Sequence, residues 1–447
     1  MYRENMTENQ RIQEWFLAHK EEMICDIQRL VSIKSVSSKN EAVFPYGAGC
    51  RAVLDEMLKL GSSYGFSTEN HAYHYGRIRW GEGEKCLGIW NHLDVVEEGN
   101  GWSFPPYEGV LHKGFMIGRG VQDNKGPAIA VLYALRCIKE LKLPLNIQVE
   151  QLLGCNEEQG MEDIDVFLKA GEIPDFSFVA DCSFPVCNGE KGICELELSS
   201  ESKITEVLEL CGGESANSIP SKARAGLSSG EEIETRGRSG HVAFPGEMVN
   251  ALGELFTLLS QKDPMGCLQK TFDFLGRAGR ESSGETLGIS WKDETFGALT
   301  CVMTKGDIKQ GRLHVLFNIR YPHSWNYQEM LEKVRDRVMK YGLSLKVVRN
   351  SPSYLEENEN IDELLQAYES IMDEKGYTYT MGGGTYARKL PDTVAFGPGL
   401  PADLSAINFP EGHGGCHGPD EAQSIDQLIT AGRIYVDSIL RLNSSWS

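Results

Sequence analysis

Apolar side chains return every three to four residues early in the chain: Met23, Ile24, Ile27, Leu30 and Val31 form one run, and Val53, Leu54, Met57 and Leu58 another. That spacing matches the 3.6-residue helical period and predicts helices that lay one apolar face against a sheet. The apolar runs at 86–90, 147–153 and 176–180 are short and read as buried strands, with a helical pattern at 127–141 between the first two. Strands alternating with helices predict an α/β sheet covered by helices. Each strand runs directly into polar residues: His92 and Asp94, then Glu157 and Glu158, then Asp181. Open α/β sheets bind ligands at the carboxyl ends of their strands, so these positions are the first candidates for a site.

From Ile193 the pattern changes. The stretches ICELELSSE, ARAGLSS and RLHVLFNIRYP alternate with period two, and a helical run occupies 249–259. An α+β domain inserted over 193–353 is expected. Helical periodicity returns at 361–372, followed by an apolar strand at 393–396 and a closing helix at 425–442, so the first domain resumes near residue 354 and comprises 1–192 and 354–447. Two domains suit 447 residues, given about 150 residues per domain. The run Gly382 to Gly384 marks a loop.

Hydrophobic residues at 41% and charged residues at 24% place the chain among folded globular proteins. The 64 acidic residues against 44 basic ones give a formal charge of −20, which repels a phosphate backbone and argues against nucleic-acid and anionic-membrane partners. Solubility accounts for most of that charge, and a cation-binding cluster for a small share. Twelve cysteines are scattered without a CxxC pair, which reads as reduced, mostly core thiols. The polar start MYRENMTENQ has no apolar core and no later stretch reaches about 18 apolar residues, so a cytoplasmic location is expected.

His92 and Asp94 in NHLDVV are one residue apart at a strand end, where the pleat points both the same way. One can bind a metal while the other orients it, the carboxylate fixing the imidazole tautomer. Asp123 in GRGVQDNKGP follows a glycine turn before a helix, where a carboxylate can bridge two cations. Glu157 and Glu158 in NEEQG repel one another unless a cation or proton compensates; as an isolated pair they would read as two solvated charges. Asp181, judged alone, reads equally as a turn residue. His417 lies in the glycine-rich segment GHGGCHGPDE, with His413 a competitor for the same role. Two histidines and three carboxylates make a donor set suited to Zn²⁺, Mn²⁺ or Co²⁺ in a two-metal site, with no thiolate required.

The ordered motifs NHLDVV, GRGVQDNKGP, NEEQG and CHGPDE resemble the M20 family of metallopeptidases, and within it the PepV-type dipeptidases. Further similarity lies in VADCSFPVCNGEKG, GGESANSIPSKARA, GRSGHVAFPGEMVNAL, FNIRYP and GGGTYARKLPDTVAFGP, so the resemblance spans nearly the whole chain. It implies a zinc-peptidase-like α/β catalytic domain with an inserted α+β lid, and two divalent metal ions, Zn²⁺ foremost. Carried over by position, Asp123 becomes the bridging ligand, His92 and Asp181 complete one metal, and Glu158 and His417 the other. Glu157 becomes the general base, and Asp94, which orients His92, is counted with it among the catalytic residues. His241 is implied to polarise the scissile carbonyl, Arg320 to hold the substrate carboxylate, and Asn217 and the Gly383 loop to assist. The implied reaction is hydrolysis of dipeptides by a metal-bound hydroxide, by a monomer; the alternative is an M20-type amidohydrolase that removes an acyl group from an N-acyl amino acid. A binding protein that kept the fold without catalysis is the remaining reading, and the complete ligand set opposes it. The chain departs from the family pattern at Glu97, Asn124 and Asn156, where proline and two aspartates are common; the two amides remove negative charge near the ligands.

Overall fold

The structure, a computed structural model, describes residues 6–39, 44–262, 265–266 and 268–446; the first five residues of the polar start lie outside it. The chain divides into two compact units, Met1–Asn188 with Glu356–Tyr379 and Thr385–Ser447, and Gly189–Leu355 with Thr380–Gly384. The loop Thr380–Gly384, which the sequence pattern assigns to the first domain, belongs with the second unit. Two hydrogen bonds hold it there, from Lys191 N to Met381 O at 2.9 Å and from Arg320 Nη1 to Gly382 O at 2.9 Å.

In the first unit the strands run in the order Ser67–His71, Tyr75–Trp80, Gln148–Gly154, Cys86–His92, Phe176–Val179, Thr393–Ala395, Val186–Glu190. Cys86–His92 lies between two parallel neighbours, with His92 opposite Gly154 and Trp90 opposite Val179. This register ends all three strands at one edge. The chain there enters Leu93, Cys155 and Ala180, and the ladder closes with Leu93 N to Gly154 O and Ala180 N to Trp90 O, each 2.9 Å. Both faces of a parallel sheet are buried, so these strands are largely apolar, with Asn91, Glu150, Gln151 and Ser177 as buried polar exceptions.

The helix Lys125–Leu141 is buried along nearly its whole length, from Lys125 to Ile138. One apolar core joins it to the sheet, to the N-terminal helices Glu8–Ala18, Lys20–Val31 and Ala48–Ser63, and to the closing helix Ile425–Ser445. A small antiparallel sheet pairs Val110–His112 with Phe115–Ile117, and that strand with Ala422–Ser424. It draws the late CHGPDE segment beside the turn that precedes Asp123, and Gly118 N donates to Glu421 O at 2.9 Å.

The second unit is α+β. Its seven-stranded sheet is ordered Glu232–Arg236, Lys222–Leu227, Val207–Gly212, Thr300–Lys309, Arg312–Tyr321, Gly192–Ser200, Leu343–Ser351, with antiparallel neighbours throughout. The helices Ala251–Leu259, Leu268–Arg280 and Tyr327–Met339 share a second apolar core with it. Asn250 caps the first of these, accepting from Leu252 N and donating to Met303 O at 2.7 Å. Among the described residues no helix is long and apolar enough to cross a membrane, and the cysteines are free thiols.

Candidate metal centre

The common strand edge brings His92, Glu158 and Asp181 of the first unit together, and with His417 these four side chains surround Asp123. One carboxylate oxygen of Asp123 lies 2.7 Å from His92 Nε2, and the other lies 2.9 Å from His417 Nε2. Asp181 Oδ2 is 3.5 Å from His92 Nε2, and Glu158 Oε1 is 3.0 Å from His417 Nε2. The result is two donor groups, His92 with Asp181 and His417 with Glu158, that share one carboxylate. Asp123 can therefore reach two cations with its two oxygens.

The tautomer of His92 tests whether cations fit. Its Nδ1 donates to the main-chain oxygen of Asp94 at 2.9 Å, which leaves a lone pair on Nε2 in the neutral ring. That lone pair faces Asp123 Oδ1 at 2.7 Å, and both atoms are buried without a hydrogen-bond partner of the opposite kind. Two acceptors at this distance repel unless a proton or a cation joins them. The donor set passes the test: His92, Asp123 and Asp181 stand at ligand spacing, as do Asp123 and His417 with the thiol of Cys416, and nitrogen, oxygen and sulfur donors of this kind suit a divalent transition metal.

The electrostatics agree. Burial, then Glu158, Asp181 and Asp123, pushes the Glu157 carboxyl well above its ordinary value, with His92 opposing. Burial followed by the charge of Asp123 pushes Glu158 up to about 7 and raises Asp181 as well. Burial disfavours charge on His92, yet Asp181, Asp123 and Asp94 outweigh it and hold the ring proton well above the usual histidine range. His417 rises in the same way, burial opposed by Asp123, Cys416 and Glu158. Burial would raise Asp123 too, but its two imidazoles hold it well below the carboxylate range. Three carboxyls and two imidazoles pushed up around one carboxylate pushed down are what crowded acids and histidines produce, and bound divalent cations would relieve the crowding.

The sequence pattern of the peptidase family M20/M25/M40 matches residues 88–441. The chain belongs to the M20 peptidase family. It is thus a metallopeptidase, a hydrolase of peptide bonds. A putative dipeptidase of Staphylococcus epidermidis is 30% identical, across 95% of this chain and 98% of its own length. The putative dipeptidase YtjP of Bacillus subtilis is 29% identical, across 95% of this chain and 97% of its own. Among solved structures, human carnosine dipeptidase 1 superposes with a TM-score of 0.65 at 14% identity, covering 98% of this chain and 99% of that one, which shows a shared fold.

Within this M20 chain the support around the donors differs from the sequence expectation at Asp94. Its carboxylate is 3.5 Å from His92 Nδ1, and the tautomer is fixed by its main-chain oxygen instead. The two carboxylate oxygens accept from Glu157 N and Glu158 N, each at 3.1 Å, so Asp94 holds the turn that carries both glutamates. The competitor His413 is drawn away by Asp420 at 2.6 Å, which leaves His417 at the centre. Asn156 serves the same turn, accepting from Glu162 N at 3.0 Å and donating to Ser37 Oγ at 2.9 Å. Glu97 pairs with Lys34 at 3.1 Å.

Sequence reasoning missed several supports. Glu421 is fully buried; its Oε1 accepts from Gly120 N, Gln122 N and Asp123 N at 3.1, 2.9 and 3.1 Å, and Oε2 pairs with Arg119 at 2.6 Å. Arg119 also donates to His417 O at 3.2 Å, so this ion pair ties the Asp123 turn to the His417 loop. Asp163 Oδ2 accepts from Cys155 N, Asn156 N and Tyr386 Oη at 2.8, 2.9 and 2.5 Å, holding the far side of the Glu157 turn. Gly154 allows that approach, since a Cβ there would meet Tyr386 Oη at 2.0 Å. Cys416 departs from the expectation of purely structural thiols, because its Sγ donates to Asp123 Oδ2 at 3.2 Å. Glu421 and Tyr386 both stand inside the motifs CHGPDE and GGGTYARK, which was the signal available for them.

The remaining candidates lie in the second unit. Asn217 O accepts from Val242 N at 3.1 Å, Ser218 bridges to His241, and His241 Nδ1 accepts from Ala243 N at 3.2 Å. Arg320 is buried, with Nε donating to Asn318 Oδ1 and Nη1 to Gly382 O, each at 2.9 Å. Gly382 packs against Ala243, where a Cβ would fall 2.9 Å from the alanine methyl. Asn217, His241, Arg320 and the Gly383 loop thus gather in one region of this unit.

Proposed function

We propose that the chain is a dipeptidase that cleaves the single peptide bond of a dipeptide with the help of two divalent cations, zinc foremost. The observation that carries this reading is the sharing of Asp123 between His92 and His417, with Asp181 and Glu158 completing two donor groups. His92, Asp123 and Asp181 would hold one cation, and Asp123, Glu158 and His417 the other. When bound, such a pair supplies positive charge that stabilises the developing oxyanion and lowers the pKa of a water to about 7.

Glu157 is the proton carrier in this reading. Its Oε1 is buried and takes no hydrogen bond among the described residues, which leaves that oxygen available for a proton. It accepts the proton of the attacking water and delivers it to the leaving amine, a transfer that contributes roughly 10²–10⁴-fold. Asp94 keeps Glu157 and Glu158 in register through their two N–H groups. In the second unit, the proposed partner of the substrate carboxylate is Arg320, whose planar guanidinium suits bidentate recognition. Asn217 and the Gly383 loop are proposed to assist it, and His241 to bind the carbonyl oxygen. The names of the two bacterial relatives support dipeptides as the substrate class.

The test is hydrolysis by the metal-stripped and the metal-reconstituted chain of dipeptides, tripeptides and N-acyl amino acids. Dipeptide cleavage restored by zinc is expected. Cleavage confined to N-acyl amino acids, or activity indifferent to metal removal, would overturn the proposal.

A further inference from the structure

Beneath the centre, buried side-chain amides form a chain of hydrogen bonds. Gln151 Nε2 donates to Ala128 O at 2.7 Å and to Asn91 Oδ1 at 3.0 Å. Asn91 Nδ2 donates to Asn124 Oδ1 at 2.7 Å. Asn124 Nδ2 in turn donates to Ala180 O at 2.7 Å and to Asp181 Oδ1 at 2.8 Å. All three amides are 0% exposed. For Asn91 and Asn124 the orientation has no alternative: turning either amide over would set nitrogen against nitrogen or oxygen against oxygen.

The last link decides how Asp181 can act. Its Oδ1 is engaged by an N–H, while Oδ2 is the oxygen 3.5 Å from His92 Nε2. An aspartate at 124 would offer Oδ1 no donor and would set a second negative charge against it, freeing Asp181 to turn or to ligate with both oxygens. Zinc is satisfied by four ligands, whereas manganese favours a fuller shell of oxygens.

Building on the metal assignment proposed above, we propose that Gln151, Asn91 and Asn124 are positioning residues that hold Asp181 as a one-oxygen ligand and make the His92–Asp123–Asp181 position selective for zinc over manganese. The relay is neutral and dry, so it orients Asp181 without adding charge to an already acidic cluster.

The experiment titrates the full-length, metal-stripped chain with Zn²⁺ and with Mn²⁺ in competition with a chelating indicator, for wild type, Asn124→Asp and Asn91→Ala. Wild type is expected to bind two zinc ions. Asn124→Asp should weaken zinc at one of the two positions by about 10–100-fold, leave the other unchanged and narrow the zinc-to-manganese ratio. Asn91→Ala, which does not touch Asp181, should shift the ratio in the same direction by less, and it keeps the test open where Asn124→Asp fails to fold by circular dichroism. An unchanged ratio in folded variants overturns the relay alone, and so does equal weakening of both metals at both positions, the mark of a merely structural role. A wild-type chain that binds neither ion overturns the metal assignment as well.

Discussion

Replacing Asp94 by asparagine tests the architecture of the centre directly, because the side chain is fully buried and its two oxygens each accept one backbone N–H, from Glu157 and Glu158 at 3.1 Å. Asparagine retains one acceptor and turns an NH₂ group toward the other N–H. One charge-assisted hydrogen bond, roughly 1.5–3 kcal/mol, is lost, and a buried donor is left unsatisfied at about 1–3 kcal/mol. With cations bound, a net loss of about 3–5 kcal/mol is expected, or roughly 6–20 °C in the melting temperature of the first unit. With the cations stripped, the substitution also removes one negative charge from beside Asp123, Asp181, Glu157 and Glu158, which offsets part of the loss. Scanning calorimetry of Asp94→Asn with zinc and with chelator should thus give a larger downward shift in zinc. Equal melting temperatures for variant and wild type in both conditions, or the larger shift in chelator, would refute the role given to Asp94.

Glu157→Ala is expected to bind two zinc ions while kcat falls by roughly 10²–10⁴-fold; full turnover would remove it as the proton carrier. His417→Ala should bind one ion fewer by metal analysis, and unchanged stoichiometry counts against the shared-carboxylate centre. Glu158 is pushed from 4.5 up to about 7 in the metal-free chain, so the folded state holds a proton there that the unfolded chain has released. Its contribution to stability is therefore present below about 4.5 and lost as pH rises through about 7, while zinc, which must displace that proton, binds more tightly over the same rise; melting in chelator and zinc titration between about pH 5 and about pH 8 that are both flat would sink this account. Arg320→Lys should raise KM for dipeptides with little change in kcat, which steady-state kinetics will show, since a point charge replaces a bidentate fork.

The sheet was legible because buried parallel strands are apolar runs that stop abruptly, and the polar residues after them, His92, Glu158 and Asp181, fall at one edge by register alone. Asp94 was harder. Whether the carboxylate or the main-chain oxygen reaches His92 depends on a local backbone path that side-chain alternation does not encode. The strands Val110–His112, Phe115–Ile117 and Ala422–Ser424 are too short to show periodicity, so the route that brings His417 to Asp123 was invisible although both ends were named. Asp163 with Tyr386 and Glu421 with Arg119 meet across hundreds of residues, and nothing in a local window distinguishes a buried acid with a distant partner from a solvated one. The allegiance of Thr380–Gly384 rests on backbone hydrogen bonds that leave no trace in composition.

The small sheet that joins Phe115–Ile117 to Ala422–Ser424 also sets a clock. His92, Asp123, Glu158 and Asp181 leave the ribosome early, but His417 and Glu421 follow only after the entire second unit has been made, on the order of 10–50 s later at roughly 5–20 residues per second. Until then the Asp123 turn lacks the carboxylate that collects its N–H groups, and the second donor group has no imidazole. On the metal assignment proposed above, a growing chain is a peptidase in waiting, completed only when its own last strand closes.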